Sequence, residues 1–269
     1  MAVAHGSGVD REALREHLVR TRIAGEVATP RESNLTNFRR MVARDPGYQF
    51  GLRLREWTFE ETLAMMARQC GVSPDPKYTH GVDTIDPDLT IDALDAMAER
   101  LAHAARHRST VVFATGHPAT LLGVYRAVAD KLAAAGCEIP TPAAGWSYAS
   151  STDSLKYREI SYTGGVAALI SKSGDYRHTH DPQPMQAMLA ELQGTGAWPG
   201  LVLADHGWAG AAGEAGIEAV GFADCNDPAL FAGHAEGKIA VTVPLDDGIL
   251  PNHYRPLIDY LLARAGLGD

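Results

Sequence analysis

The sequence predicts an α/β protein: a mostly parallel sheet flanked by helices, with a helical N-terminal region and an antiparallel hairpin insert. Short continuous apolar runs, Leu201–Ala204 and Ile217–Ala223, stop at turn residues and alternate with helix-like segments. Strands covered on both faces of a parallel sheet give that pattern. Before about residue 108 the apolar period is helical instead, without a convincing strand. The hairpin is read from Arg158–Thr163 and Val166–Ile170, joined by the two-residue turn Gly164-Gly165.

With 269 residues, 45% hydrophobic and 21% charged, the chain can build one large core, or a core with an appended subdomain. Residues 1–9 read as a disordered leader, 10–108 as a helical region packing on the core, and 109–269 as the α/β core that carries the site. The start, MAVAHGSGVD, has no basic segment followed by an apolar one, so a signal peptide is not expected. No stretch approaches the roughly 20 apolar residues of a membrane-spanning helix. The 3 cysteines, Cys70, Cys137 and Cys225, have no CxxC spacing, which argues against a disulfide framework and a thiolate zinc site. A cytoplasmic location is the default expectation.

A net charge of −9 repels nucleic acid and anionic membranes. The expected partner is a small anionic metabolite held by local groups. Arginines crowd the first forty-four positions, and solvated helix faces account for most of them. Arg22 and Arg31 differ because each lies beside a sharp turn, where a guanidinium can be aimed at a phosphate. Oligomeric state is not written in the sequence; a homodimer is compatible with it.

Asp10 is a candidate N-cap for a helix running to about Ile23, ended by Gly25. Glu26–Arg31 reads as a turn, and a second helix covers Glu32–Ala43. Asp45-Pro46-Gly47 breaks the chain, Thr58 and Glu61 form a capping box for a helix to Gln69, and a further helix runs from Thr90 to about His107. Thr110–Ala114 is the first core strand, followed by Thr115-Gly116-His117-Pro118 and a helix to Ala135. Cys137–Thr141 is a candidate strand. A helix from about Pro182 to Gln193, a last strand Lys238–Val243 and a closing helix Pro256–Ala265 complete the core.

Four strand ends carry polar clusters: Thr115-Gly116-His117, Asp205-His206-Gly207, Asp224-Cys225-Asn226-Asp227 and Asp246-Asp247. In open α/β sheets the carboxyl edge is where ligands bind. Carboxylates and a carboxamide are hard oxygen ligands, suited to Mg²⁺ or Mn²⁺ rather than Zn²⁺. Converging like charges also need a cation between them. Asp205, Asp224 and Asn226, with Asp246 or Asp247, are therefore the candidate metal ligands. The bland reading competes hardest at Asp227, which precedes Pro228 and serves equally well as a helix cap. One of Asp246 and Asp247 is expected to be a turn residue before Gly248. His178 and His180 point the same way if that backbone is extended. GxGxxG, GxxxxGK[ST] and GxSxG are all absent.

The stretches TRIAG, ATPRESNL, HGVDTIDPDLTIDAL, FATGHPATLLGVYRA, HTH, LADHGWAG, GFADCNDPALF and VPLDD resemble a family of mainly actinobacterial proteins that go under the name phosphatase. The resemblance does not cover residues 142–173, and Asp181-Pro182-Gln183-Pro184 departs from the family's usual run. The layout is also similar, at fold level only, to metal-dependent carbohydrate-phosphate phosphatases. These likenesses imply a metal-dependent phosphatase acting on a phosphomonoester of a small metabolite. In that reading Asp205, His206 and His178 are the catalytic candidates. Arg22, Arg31, Thr115, Gly116, His117 and His180 meet the phosphate, and either water or an aspartate is the nucleophile. A non-catalytic binding protein for a small anionic metabolite, and a metal-dependent isomerase or lyase, stay open as alternatives.

Overall fold

The structure is a computed structural model that describes residues 10–149 and 157–268. The expected leader, residues 1–9, lies outside the described residues. The chain begins with helix α1 (Arg11–Arg20), strand β1 (Gly25–Pro30), α2 (Arg31–Val42), α3 (Phe59–Gln69), β2 (Val82–Ile85) and α4 (Pro87–His107). The core then runs β3 (Val111–Ala114), α5 (Pro118–Ala134), β4 (Ser147–Ala149), β5 (Tyr157–Thr163), β6 (Val166–Ile170), β7 (Tyr176–Arg177), α6 (Gln183–Thr195) and β8 (Leu201–Leu203). It closes with α7 (His206–Glu214), β9 (Ala219–Ala223), α8 (Pro228–Ala235), β10 (Val241–Pro244) and α9 (Arg255–Arg264).

The main sheet has the order β10-β9-β8-β3-β6-β5-β4, with β7 paired to β6. From β10 to β6 every neighbour is parallel. Every residue of β3, β8, β9 and β10 is buried, which is why these strands read as unbroken apolar runs. Helices α6, α7 and α8 pack on one another with α2 and α3, while α1, α4, α5 and α9 form a second packed group. The direction in which the connections progress across the sheet reverses between the parallel neighbours β3 and β8. The connection after β3 leads toward β6, and those after β8 and β9 lead away toward β10. Right-handed crossovers then place α5 and α7 on opposite faces and leave a crevice at the switch point between β3 and β8.

Local chemistry fixes the ends of these elements. The Asp10 carboxylate accepts from Ala13 N at 2.7 Å, and Thr58 with Glu61 completes the expected capping box. Helix α4 starts earlier than its periodicity indicates, because Asp86 caps it and Pro87 fits the first turn. The Gly164-Gly165 hairpin is present, with both φ values positive, 58° and 77°, as a two-residue turn of that type requires.

The expectation of a purely helical N-terminal region is corrected. Strands β1 and β2 pair antiparallel, so Glu26–Pro30 is strand where a turn was expected. Their register shifts between Glu26 and Pro30, and that irregularity breaks the alternation by which a strand is recognised. Cys137–Thr141 forms no strand, only an isolated bridge between Thr110 and Glu138. Among the described residues no helix is long and apolar enough to cross a membrane.

Candidate active site

The site lies at the switch point. The Asp205 carboxylate, at the end of β8, accepts from Thr115 Oγ1 at 2.7 Å, Gly116 N at 2.6 Å and His206 Nδ1 at 2.8 Å. Burial pushes this carboxyl up, but the bonds from His206, Thr115 and Gly116 outweigh it and hold its pKa below the ordinary value. Asp205 therefore clamps the two central strand ends together. His206 opens α7 with φ of 47°, a left-handed conformation that costs about 1–3 kcal/mol and persists where the surroundings enforce it.

The segment His178–His180 reaches the same edge by an unusual route. Strand β7 pairs with β6 on the side that β3 occupies lower down, and Thr179 N then donates to Gly116 O at 3.0 Å. The segment is thus lodged between two strand-to-helix turns, both of which need glycine. A Cβ on Gly116 would sit 2.4 Å from Thr179 O, and one on Gly207 would sit 2.2 Å from His180 O.

Ligand-type atoms now form a continuous row. Those of His178, His180 and His206 lie within 4.8 Å of one another, as do those of His206, Asp227 and Asp247, and those of Asp224, Asp246 and Asp247. His206 joins the first set to the second, and Asp247 joins the second to the third. His206 Nε2 is 3.3 Å from Asp227 Oδ2 and 3.7 Å from Asp247 Oδ2. The His180 ring stacks on His206 at 4.9 Å, and its Nδ1 bonds the Gly47 carbonyl at 2.9 Å. That bond fixes the tautomer and leaves Nε2 free as a ligand.

At the acidic end Asp224 accepts from Thr29 Oγ1 and from Cys225 N, both at 2.6 Å. Asp246 accepts from Ala28 N at 3.1 Å and Gly248 N at 2.9 Å. Burial, with Asp246 and Asp227 nearby, pushes the Asp224 carboxyl up to about 7 in spite of the Thr29 bond. Burial and Asp224 likewise push Asp247 well above the usual carboxylate range. Burial alone would lower His206, but Asp227 and Asp205 outweigh it and raise its pKa well above the ordinary value. His178 is the most open of the three imidazoles; burial and its neighbours His206, His180 and His117 lower its pKa. Among the described residues no lysine or arginine forms an ion pair with Asp224, Asp227, Asp246 or Asp247. Buried carboxylates without a lysine or arginine partner among the described residues, ending in the two imidazoles of lowered pKa, His178 and His180, are a donor set that fits a divalent metal.

The other expected site residues lie around this row. Asp205 is outside the three sets, its oxygens accepting from His206, Thr115 and Gly116. Thr115 Oγ1 and Gly116 N are both turned onto Asp205. His117 Nδ1 bonds the Asp247 carbonyl at 2.9 Å, which brings it to the row's edge. Asn226 is half-buried between Asp224 and Asp227, its carbonyl accepting from Asn37 Nδ2 at 3.0 Å. Asp227 sits at the cap position of α8 but makes no side-chain cap bond; its carboxylate faces His206 instead. Of the pair offered as alternatives, Asp246 belongs to one set and Asp247 to two.

The arginines are placed elsewhere. Arg22 is exposed and donates to the carbonyls of Glu26 at 3.1 Å and Val27 at 2.9 Å. Arg31 is fully buried, paired with Asp83 at 2.8 Å, and its other donors go to the Tyr78 and Asp75 carbonyls. Its guanidinium thus faces Asp83 and two carbonyls rather than the row.

The family model described as Phosphatase matches residues 9–269. Phosphatase SCO2771 of Streptomyces coelicolor is 48% identical over 263 residues, which cover 96% of this chain and 97% of that protein. Both names denote a hydrolase, and matches of this extent leave neither the helical region nor the core outside the likeness. The chain belongs to the Phosphatase family.

Proposed function

We propose that the protein is a metal-dependent phosphomonoesterase acting on a small phosphorylated metabolite such as a sugar or nucleoside phosphate. The observation that carries this reading is the row of overlapping histidine and aspartate sets at the switch point. His178, His180, His206, Asp227, Asp247, Asp224 and Asp246 are the residues that would hold the metal. A divalent cation there supplies charge to the phosphoryl oxygens and lowers the pKa of a water.

Phosphoryl transfer asks mainly for positioning and charge compensation. With Arg31 paired to Asp83, and no lysine or arginine among the described residues paired to the row, compensation falls to the ion rather than to the side chains first suggested by sequence. Asp205 holds the His206 ring in one orientation. Burial and neighbouring imidazoles lower the pKa of both His178 and His180, which favours the neutral form and suits ligands better than proton donors. Carboxylates favour Mg²⁺ and Mn²⁺, whereas imidazoles favour transition metals. Mn²⁺ satisfies both ends, and we prefer it to Mg²⁺.

Phosphate release from a generic aryl phosphate, followed with and without chelator, tests the proposal. Turnover should vanish with chelator, return with Mn²⁺, and be abolished by Asp224→Asn. Chelator-insensitive turnover would refute the metal role.

A further inference from the structure

The stretch Arg22–Thr29, which precedes the core by more than eighty residues, supplies several of the contacts that hold the acidic end of the row. Asp246 N donates to Ile23 O at 2.8 Å, Ala28 N donates to Asp246 Oδ2 at 3.1 Å, and Thr29 Oγ1 donates to Asp224 Oδ2 at 2.6 Å. The first ties the backbones together, and the other two are contacts between the N-terminal region and the carboxylates themselves. They are available because β1 leaves its register with β2 between Glu26 and Pro30. A bulge of this kind frees a backbone N–H and re-aims a side chain. The bulge is itself braced by Arg22, which sits at φ of 62° and holds the carbonyls of Glu26 and Val27.

We propose that Thr29 is a positioning residue for the Asp224 carboxylate, and that the bulge of β1 is a built part of the cation site rather than a cover over it. The inference rests on the metal reading above. An ionised carboxylate has about four acceptor positions, and Thr29 and Cys225 N take only part of that capacity. The remaining lone pairs keep a fixed direction for a cation because the hydroxyl prevents the carboxylate from turning. Hydrogen bonds to ligating groups commonly govern metal affinity in this way, and losing one costs about 10–100-fold.

The test uses the full chain stripped of metal, with Mn²⁺ as the probe, titrated calorimetrically alongside aryl phosphate kinetics. Thr29→Val keeps the volume and removes the hydroxyl; it should weaken Mn²⁺ binding by roughly 10–100-fold. Thr29→Ser should restore most of that loss. Leu132→Ala, which removes buried packing near the far end of α5, should lower thermal stability while leaving Mn²⁺ affinity in place. If Thr29→Val does not fold, Thr29→Ala against Thr29→Ser makes the same comparison. Wild-type affinity in Thr29→Val, or an equal loss in Leu132→Ala, overturns the inference while the metal reading survives. Failure of the wild-type chain to bind Mn²⁺ at all overturns both.

Discussion

Nδ1 of His206 lies 2.8 Å from Oδ1 of Asp205, its neighbour in the chain, and this bond decides which ring nitrogen faces Asp227 and Asp247. A histidine ligand commonly donates its other ring N–H to a carboxylate or carbonyl behind it, which fixes its tautomer and raises its basicity. Asp205→Asn keeps the shape and removes the charge, so Mn²⁺ affinity and kcat should both fall by about 10–100-fold. Calorimetry and steady-state kinetics on the folded variant check this. Unchanged Mn²⁺ affinity would show that Asp205 only ties β3 to β8.

The two ends of the row differ in chemistry, and metal preference should reveal it. His180→Ala removes an imidazole and should weaken Zn²⁺ and Mn²⁺ binding much more than Mg²⁺ binding. Asp246→Asn removes a hard oxygen ligand and should weaken Mg²⁺ and Mn²⁺ alike. Comparing the affinities of the three ions for each variant is the check. Identical losses across ions in both variants would contradict a row with distinct ends.

The core was legible because β3, β8, β9 and β10 are buried on both faces, which leaves a continuous apolar run followed by polar turn residues. That pattern located Asp205, Asp224 and the Asp246-Asp247 pair at one edge. It could not divide their roles, because the choice between ligand and orienting group depends on which atoms Thr115, Gly116 and His206 occupy. Asp227 was ambiguous for a local reason: aspartate before proline is an ordinary cap, and only the missing cap bond shows otherwise. Thr29 was invisible, since its strand is bulged and its partner lies 195 positions away. The partner of Arg31 was equally hidden, because a turn next to an arginine says nothing about Asp83, 52 positions away.

The metal-free protein should lose stability as pH rises above about 6.5. Asp247 and His206 both have folded-state pKa values raised above their ordinary values of 3.8 and 6.5. Each contributes stability that is fully present below its unfolded value and lost as pH climbs through the folded one. His117, His178 and His180 are shifted the other way, from 6.5 downward, so their opposing contribution is complete by about pH 6.5. Above that point only the destabilising terms remain. A cation takes the place of the lost protons, so saturating Mn²⁺ should flatten the dependence. Thermal unfolding from pH 6.5 to 9, with and without Mn²⁺, decides it; a rising midpoint for the metal-free chain would contradict these assignments.

Arg31 separates the structural reading from the sequence one. Its guanidinium is fully buried, and the Asp83 it pairs with also accepts from Asn34 Nδ2 at 2.9 Å and Ser73 N at 3.0 Å. Arg31→Met leaves that carboxylate buried without its cation, and breaking such a pair costs about 3–5 kcal/mol. For a chain of this size each kcal/mol moves the midpoint by roughly 2–4 °C, so unfolding should come on the order of 10 °C earlier. The KM for an aryl phosphate, measured well below that midpoint, should stay near wild type because the guanidinium faces Asp83 and two carbonyls rather than the row. A phosphate-binding arginine gives the reverse pattern, a strongly raised KM with little change in the midpoint. That result would put Arg31 back in the substrate site and would require Asp83 to release it when substrate binds.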